Sequence, residues 1–442
     1  MKPIISLIVY LALISQASFA QSIQSPRLHV LDNGMRVVTE QISHLHSVSM
    51  GIWLNVGSRD EEENESGLTH FIEHMLFKGT QKRSALEIAK QLDAVGGMSN
   101  AFTSKENTCF HAKVLDTHLP LVVEILSDIF LQSVFDQVEV EREREVILQE
   151  INMVEDTPDE YVHILFNQNF WDGNALGRPI FGNVQTVKSF TREMILEYLN
   201  RGYHPDRIVL TAAGNVNHQE FLELVGPAFS NIERHGHNFD RTPPRANSRV
   251  DLYPRDIEQI HLCLGTRGTS LQEKERYCCS ILNVILGGSM SSRLFQEVRE
   301  RRGLAYSIYS FLSSQTDTGM MGIYGAVRPD NIKETLELIR LELSRFKREP
   351  ISDTELRAAK EHIKGGIYLA AENTDNRMSR LAKNEMIFNR FVTYEEIEAD
   401  LERVTVEDIQ ALAQQIFQPE VMSLVLLGQV NGLDVDHTYL DL

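Results

Sequence analysis

Apolar and polar residues along the first half of the chain change their spacing several times, and each change predicts an element of secondary structure. Short apolar alternations lie on both sides of Asp32-Asn33-Gly34, a sequence typical of a tight turn in a β-hairpin. Helical spacing begins after Ser66, the expected N-cap, and stops near Gly79. The remaining predicted elements are strands at 48–56, 100–103 and 108–114 and helices at 88–95, 117–133, 137–155 and 190–201.

A break in this pattern at 235–247 predicts a linker between two halves. The segment has little periodicity, carries several charged residues and contains Gly236, Pro243 and Pro244. After it the order of elements begins again, with a strand at 259–265 and a helix at 274–286 that ends at two glycines. We therefore expect two homologous domains, at 21–234 and 248–442.

The helix at 274–286 can be aligned with the helix that follows Ser66 by placing Gly288 opposite Gly79. This alignment puts Cys279, Leu282 and Asn283 opposite His70, Glu73 and His74, respectively. The second half thus resembles a copy of the first half in which a pair of histidines and the glutamate between them have been replaced.

The order of strands and helices favours an α+β fold. The elements alternate without the regular rhythm of a parallel βαβ sheet, and the hairpin opening favours antiparallel pairing. At 442 residues the chain is also long for a single core of usual size. Each domain is therefore predicted to be a mostly antiparallel sheet packed with helices.

The first twenty residues predict a signal peptide. Lys2 precedes an apolar run from Ile4 to Ile14, and a stretch of mostly small residues ends at Ala20. A buried helix or a membrane anchor is the alternative, but the apolar run is short for a membrane span, and the segment lacks the arginines of a mitochondrial presequence. No later stretch approaches eighteen uninterrupted apolar residues, so no stable membrane span is expected.

The net charge indicates which partners the chain favours, and the cysteine spacing bears on metal sites and disulfides. The formal net charge of −19 argues against nucleic acid as a partner and mildly favours cationic peptides over anionic ones. The four cysteines lack the C-x-x-C spacing of a structural metal site. We interpret them as buried thiols, and one disulfide in an oxidising compartment is the alternative.

The strongest chemical signal is His70-Phe71-Ile72-Glu73-His74 in the predicted helix after Ser66. Residues at positions i, i+3 and i+4 share one helix face, so the two imidazoles can bind one metal ion while the carboxylate between them stays near it. A chance match on a solvated helix face is the alternative. A catalytic zinc usually has a third protein ligand. Glu143 and Glu150 lie two turns apart on a later helix, but the residues alone could equally form a charged surface.

These motifs together resemble the pitrilysin/insulinase family of metallopeptidases, and specifically its mitochondrial-processing-peptidase-like branch. The similarity covers the stretches 67–80 and 146–151, and His74 and Glu150 lie 76 positions apart, which is the family's spacing. The resemblance implies one Zn²⁺ per chain, held by His70, His74 and Glu150. It also implies that Glu73 is the general base and that Glu143 lies near the metal.

The resemblance also assigns roles to residues outside the histidine motif. The stretches 292–299 and 303–306 are similar to an Arg-Tyr element of the family, which implies that Arg299 and Tyr306 donate hydrogen bonds to the substrate carbonyl and the developing oxyanion. Without it, Arg299 would be interpreted as part of a solvated charged helix. The stretch 96–103 resembles an edge strand, which implies that Asn100, Ala101 and Phe102 bind an extended peptide as an added strand. An internal strand is the alternative.

One position departs from the family pattern. Processing peptidases hold a substrate arginine with two acids in the helix after the third ligand; the first acid matches Glu160, but the second position is Ile164. This departure argues against strict specificity for presequences. The lack of a presequence-like segment points away from a mitochondrial enzyme and toward the bacterial relatives, and the signal-peptide pattern predicts an exported, periplasmic protein.

The expected function is a zinc endopeptidase that cuts extended, cationic peptides between two domains that close as a clamshell. The resemblance implies a homodimer, or a heterodimer with a homologous subunit. A non-catalytic scaffold or peptide-binding subunit of the same fold is the alternative, although such proteins typically lose ligands or the base.

Overall fold

The first half of the chain forms a six-stranded sheet. The structure is a computed structural model and describes residues 25–233 and 239–442. The strands of this sheet are β1 (Arg27–Val30), β2 (Arg36–Gln41), β3 (Ser47–Leu54), β4 (Met98–Thr103), β5 (Thr108–Leu115) and β6 (Ile208–Gly214). They lie in the order β1-β2-β6-β3-β5-β4, and only the β2 and β6 pair is parallel. The predicted opening hairpin and the other predicted strands of this half are confirmed.

Helices cover one face of this sheet and enclose the core of the first half. They are α1 (Leu68–Leu76), α2 (Ala85–Ala94), α3 (Leu119–Gln132), α4 (Gln137–Glu155), α5 (Pro158–Phe170), α6 (Val184–Ser189), α7 (Arg192–Gly202) and α8 (His218–Phe229). All of them except α5 contribute to one buried cluster with the sheet, and its aromatic members include Phe71, Phe110 and Phe229. Helix α1 therefore stands on a packed apolar base, which fixes the face that it turns away from the sheet.

The N-terminus of α1 differs from the prediction that Ser66 caps it. The capping position is Gly67, with φ of 97°, a region that favours glycine. A Cβ atom there would lie 2.5 Å from the carbonyl oxygen of Phe181. The carboxylate of the buried Glu61 accepts hydrogen bonds from the amides of Gly67 and Thr69, both at 2.8 Å. A carboxylate six residues upstream thus replaces the local serine cap that the sequence suggested.

The second half repeats this architecture with a five-stranded sheet. Its strands are β7 (Arg249–Pro254), β8 (Ile260–Gly268), β9 (Ala305–Ser314), β10 (Gly319–Val327) and β11 (Met422–Gly428), in the order β7-β11-β8-β10-β9. Only the β7 and β11 pair is parallel. Its helices are α9 (Arg276–Leu286), α10 (Ile332–Arg348), α11 (Asp353–Ala370), α12 (Thr374–Phe388), α13 (Tyr394–Arg403) and α14 (Val406–Ile416), with a π-helical turn at Phe295–Glu300. The predicted α+β class and the repeated order of elements are confirmed.

The two halves exchange one helix each, a feature that the sequence did not predict. Helix α5 of the first half packs on the second sheet, where Phe166 and Phe170 join Val425 in one buried cluster. Helix α12 of the second half packs on the first sheet, where Met378 and Trp53 share a buried cluster. Each sheet is thereby covered on both faces, and the exchange ties the halves together through apolar contacts.

Buried ion pairs join the halves at the turn between β9 and β10. Arg59 of the first half donates to both carboxylate oxygens of Asp317, at 2.6 and 2.8 Å, and to Glu106 at 2.6 Å. Glu106 in turn accepts from the backbone amide of Thr316 at 2.9 Å. The Arg59 side chain is only 2% exposed. We call this group, Arg59, Glu106, Thr316 and Asp317, the interdomain clamp.

The predicted linker is described only in part, because residues 234–238 lie outside the described ranges. Residues 239–247 contain neither helix nor strand. They are nevertheless held against the first half, because Arg241 pairs with the buried carboxylate of Asp60 at 2.7 Å. The predicted signal peptide, residues 1–20, also lies outside the described ranges.

The state of the cysteines settles one further expectation. Cys109, Cys263, Cys278 and Cys279 are all buried and unpaired, which confirms the interpretation as thiols. Among the residues that the structure describes, no helix is long and apolar enough to cross a membrane.

Candidate metal centre and cleft

Three predicted metal ligands lie together between α1 and α4. Glu150 reaches over the histidine face of α1, with one carboxylate oxygen 3.8 Å from His70 Nε2 and the other 3.9 Å from His74 Nε2. One ligand atom from each residue lies within 4.8 Å of the other two, and this is the one such group of histidine, cysteine or acidic residues found in 25–233 and 239–442. The i, i+4 spacing sets the imidazoles side by side, and their rings meet edge to face at 4.5 Å.

Hydrogen bonds decide which ring nitrogens remain for a metal. His74 Nδ1 is hydrogen bonded to Glu143 at 2.9 Å, and Glu143 also accepts from Lys78 at 2.6 Å. This leaves Nε2 of His74 facing Glu150. Burial opposes ionisation of Glu143, but its bonds to His74 and Lys78 outweigh burial and lower its pKa. Glu143 therefore fixes the orientation of the His74 ring through the nitrogen that does not face Glu150, an arrangement typical of metal-binding histidines.

The two histidines differ in their electrostatic surroundings. Burial lowers the pKa of His70 to about 3, so this ring is neutral, as a metal ligand must be. His74 is also partly buried, but the neighbouring carboxylates, Glu143 first among them, outweigh burial and raise its pKa. The buried Nδ1 of His70 has no hydrogen-bond partner among the described residues.

Glu73 lies on the same face of α1 but does not belong to the ligand group. Its side chain is 9% exposed, and burial raises its pKa. Thr103, at the end of β4, donates a hydrogen bond of 2.6 Å to one oxygen of the Glu73 carboxylate. The other oxygen is available for a proton. Sequence reasoning missed this role of Thr103, because only the tertiary fold brings the end of β4 to α1.

The donor set of this group fits zinc. Two imidazole nitrogens and one carboxylate oxygen are a common set of protein ligands for a catalytic zinc, which keeps a further position open. The ligands come from two helices that are both fixed in the core, since Phe71 of α1 and Ile147 of α4 are fully buried. The centre is therefore preorganised by packing rather than by a loop.

A cavity of about 980 Å³ opens beside the three ligands and lies between the two halves. From the first half, His70, Glu73, Ala101, Phe102, Glu150 and Glu160 line it, and from the second half Tyr306 does so. Ile164, the position that departs from the family pattern, is also in the wall. The structure thus brings most of the predicted site residues into one cleft.

Strand β4 lies at the edge of the first sheet and pairs only with β5. This resolves the alternative of an internal strand in favour of an edge strand. Ala101 and Phe102 face the large cavity. Asn100 instead lines a neighbouring cavity of about 390 Å³ together with Glu73 and His74. Residues of β4 therefore line both of the cavities that Glu73, the predicted base, also lines.

Arg299 and Tyr306 lie together, as expected, but they occupy different positions relative to the cleft. The Arg299 guanidinium carbon is 4.8 Å from the centre of the Tyr306 ring. Tyr306 is 80% exposed and lines the cavity, whereas Arg299 is not among the lining residues. Arg299 thus contacts the tyrosine ring, and of these two residues Tyr306 is the one that lines the cavity.

Comparison with known proteins identifies the family of the chain. The family model described as insulinase, peptidase family M16, matches residues 36–184. A model described as the peptidase M16 inactive domain matches residues 189–363. An uncharacterized zinc protease of Bacillus subtilis is 41% identical over 389 residues, which cover 88% of this chain and 95% of that protein. The chain belongs to the insulinase (peptidase M16) family.

Other M16 relatives agree in sequence and in structure. An uncharacterized zinc protease of Streptomyces coelicolor is 41% identical over 88% of this chain and 87% of that protein. A solved structure of a protease from Helicobacter pylori superposes with a TM-score of 0.86 at 20% identity, covering 92% of this chain and all of that one. The family resemblance and the two-domain clamshell fold are confirmed, and the chain is similar to proteins named zinc proteases.

Several residues of the M16 cleft had no sequence signal. Asp159 and His163 on α5, His261 on β8, Tyr309 on β9 and Tyr324 on β10 all line the large cavity. They come from four elements that are up to 165 positions apart, so no local motif could have grouped them. They belong to the side of the cleft where α5 packs on the second sheet.

Proposed function

We propose that the chain is a zinc-dependent endopeptidase that hydrolyses extended, unstructured peptides through its inverted H-x-x-E-H motif. The observation that carries the proposal is the position of Glu73. It lies between the histidines of the ligand group, outside that group, and is held by Thr103 at 2.6 Å. A carboxylate that is held beside the ligands without joining them has the position that a general base needs.

The chain's residues divide the reaction between them. His70, His74 and Glu150 would hold a zinc ion, which when bound supplies a Lewis acid that polarises the scissile carbonyl and acidifies water. Glu73 accepts the proton of the attacking water on its free oxygen and then delivers it to the leaving amine. Because Thr103 fixes the other oxygen, the carboxylate keeps one orientation for both transfers.

The second half contributes to substrate recognition and to the oxyanion. Tyr306 faces the cavity, and its hydroxyl can donate to the carbonyl oxygen as negative charge develops there. Arg299 over its ring positions the tyrosine. The open edge of β4 offers backbone groups to an extended peptide, a mode of binding that is largely indifferent to side chains.

Charge in the cleft favours cationic peptides. Among the described residues, the lining of the large cavity includes Glu73, Glu150, Asp159 and Glu160 and contains neither lysine nor arginine. A cleft lined by one sign of charge raises the local concentration of oppositely charged ligands. Substrates with basic residues are therefore expected to bind better than acidic ones.

Export and dimerisation belong to the same proposal. The apolar segment within residues 1–20 supports a signal peptide and a periplasmic location. If so, the exported protein begins at Gln21, which N-terminal sequencing would detect. The family resemblance supports a dimer, either with itself or with a homologous subunit, and light scattering of the purified chain would show whether it pairs with itself.

The test compares cleavage by the wild type and by Glu73→Gln. The amide cannot accept the proton, so cleavage of a flexible, basic peptide should fall by roughly 10³-fold or more. Glu145→Gln is the control, because Glu145 is an exposed acid on α4. Equal rates for the wild type and Glu73→Gln would contradict the mechanism. If the chain only binds peptides, neither the wild type nor Glu73→Gln would cut the peptide.

A further inference from the structure

The part of the cleft that faces the second sheet has a different chemistry from the metal centre. Its wall is formed by His261, Tyr309 and Tyr324 from three adjacent strands, β8, β9 and β10, and by His163 and Asp159 from the exchanged helix α5. We call these five residues the aromatic wall. None of them belongs to the ligand group or touches Glu73 in the contacts described above.

Hydrogen bonds and ring contacts hold the aromatic wall in place. The Tyr309 hydroxyl is bonded to His163 Nε2 at 3.3 Å, and the Tyr324 hydroxyl to His261 Nδ1 at 3.0 Å. The His163 ring stacks on Tyr324 with ring centres 5.2 Å apart. Each hydroxyl is bonded to a histidine, and both tyrosines line the cavity. Tyr309 is the more exposed of the two, since it is 39% exposed while Tyr324 is 4% exposed.

Among the described residues that line this part of the cleft, the charged groups are all acidic. Burial lowers the pKa of both His163 and His261, so these rings are neutral at pH 7. Asp159 lines the same cavity as His163, His261, Tyr309 and Tyr324. Asp159 and the adjacent Glu160 are exposed. Within the ranges 25–233 and 239–442, no lysine, arginine or histidine is found in an ion pair with either of them.

A cation is the ligand that satisfies this combination. A guanidinium or ammonium group gains both from the face of a tyrosine ring and from an adjacent carboxylate. An acidic side chain would be repelled. A neutral apolar side chain would gain the ring contact but leave the carboxylate without a partner. The apolar stem of lysine or arginine can lie along the rings while its charged end reaches Asp159.

We propose that the aromatic wall is a specificity subsite that binds one lysine or arginine side chain of the substrate, between the Tyr309 ring and the Asp159 carboxylate. The inference rests on the proposed peptidase function and adds a second acid to the one expected from sequence. Glu160 was predicted to hold an arginine with a partner that is Ile164 here. The acid that lies with aromatic rings is its neighbour, Asp159, and the rings come from the other half of the protein.

The experiment uses peptides in which arginine is compared with citrulline, a neutral side chain of nearly the same shape. A single arginine or citrulline is moved through each position of an otherwise neutral, flexible peptide. At the best position, the zinc-loaded wild type should cut the arginine peptide with a kcat/KM about 10-fold above that of the citrulline peptide. Asp159→Asn and Tyr309→Leu should each reduce this ratio to about 2.

Matched variants show whether the ratio reports on this wall. Tyr309→Phe keeps the ring and should keep the ratio, whereas Tyr309→Leu should lose it. Asp330→Asn removes an exposed acid that is outside the cavity lining and should also keep the ratio. A ratio near 1 in the wild type, or a ratio that survives both Asp159→Asn and Tyr309→Leu, would overturn the subsite. Loss of the ratio in Glu160→Gln alone would overturn it as well, because Glu160 would then be the acid that binds the cation.

A binding measurement separates this inference from the proposed function. The same labelled peptides are titrated against the Glu73→Gln protein and followed by fluorescence anisotropy. Arginine should again be preferred about 10-fold, and Asp159→Asn in that background should remove the preference. If no peptide were cut by the wild type but this preference remained, the peptidase function would fail while the cation subsite would stand. If the wild type cut the peptides but showed no preference for arginine, the peptidase function would stand and the cation subsite would fail.

Discussion

The two halves of the molecule share one architecture but place different chemistry on the same helix. The strand order β2-β6-β3-β5-β4 of the first sheet corresponds to β7-β11-β8-β10-β9 of the second, with a parallel pair at the same place in each. Helix α1 follows the central strand β3, and α9 follows its counterpart β8. On α9 the aligned residues Cys279 and Leu282 are fully buried in the core. On α1 the same positions carry His70 and Glu73.

This difference shows that the centre depends on a few side chains and not on the fold. The second half fills two of the three aligned positions with Cys279 and Leu282, which belong to its buried core. The first half keeps polar groups there and needs Glu143 and Thr103 to hold two of them. The second half contributes through its edge strand instead, since Tyr306 lies on β9, the counterpart of β4.

The largest effect expected from a change in the second half tests that contribution. Tyr306→Phe removes the hydroxyl but keeps the ring that Arg299 contacts. We expect kcat to fall about 100-fold, with a much smaller change in KM, because the hydroxyl donates to charge that develops only in the transition state. Steady-state kinetics with the flexible basic peptide measures both constants. An unchanged kcat would mean that the first half alone carries the chemistry.

The next effect concerns Glu143, which is hydrogen bonded to the predicted ligand His74. Helix α9 has Asn283 at the aligned position instead of a histidine. In Glu143→Gln a neutral amide replaces the carboxylate bonded to His74 Nδ1. Zinc affinity should drop 10-fold to 100-fold, the usual cost of losing such a partner of a metal-binding histidine. Competition with a chelating dye measures the affinity. Glu141→Gln, on the same helix but exposed, is the control, and equal affinities for the two variants would remove Glu143 from the centre.

A third variant makes α1 more like α9. Glu73→Leu installs the residue found at the aligned position, Leu282. Burial raises the pKa of the Glu73 carboxyl, so at any pH above the ordinary pKa of a glutamate the cost of keeping this group buried lowers the stability of the folded protein. The metal-free variant should therefore be more stable at pH 7 by about 1 to 2 kcal/mol. Urea unfolding of both metal-free proteins gives the difference, and a variant less stable than the wild type would contradict the view that Glu73 is kept at a cost.

The smallest effect concerns the connection between the halves. Asp317→Asn weakens the interdomain clamp by removing the negative charge that receives both Arg59 bonds. The clamp should lose about 1 kcal/mol, which raises the population of opened molecules roughly fivefold. Hydrogen exchange at 104–107 and 314–319 should speed up while exchange in α1 stays slow. Equally fast exchange throughout would mean that the variant unfolds rather than opens.

The sequence predicted what depends on local spacing. The i, i+4 histidines of α1, the turn at Asp32-Asn33-Gly34 and the repeated order of elements all follow from residues that are near each other in the chain. Glu150 could be chosen as third ligand only through the family resemblance, because the spacing along α4 also fits a charged surface. The Gly67 cap was missed because its hydrogen-bond acceptor, Glu61, is not at the usual position.

Contacts between distant segments were beyond sequence reasoning. Thr103 reaches Glu73 only after β4 and α1 have packed on the same sheet. His163 meets Tyr309 because α5 crosses to the second sheet, and neither residue belongs to a recognisable motif. The interdomain clamp likewise joins Arg59 to Asp317, 258 positions later. These pairings are set by the exchanged helices and the sheet order, which spacing along the chain does not reveal.

The central claim is that α1 and α4 of the first half hold one zinc ion and that Glu73 acts beside it without binding it. The most direct measurement is zinc per chain by mass spectrometry, with cleavage measured on the same samples. The wild type should carry one zinc and cut, and Glu73→Gln should carry one zinc and not cut. His74→Asn, which installs the residue of the second half, should carry none. A wild type without zinc, or a His74→Asn protein that retains it, would contradict the account.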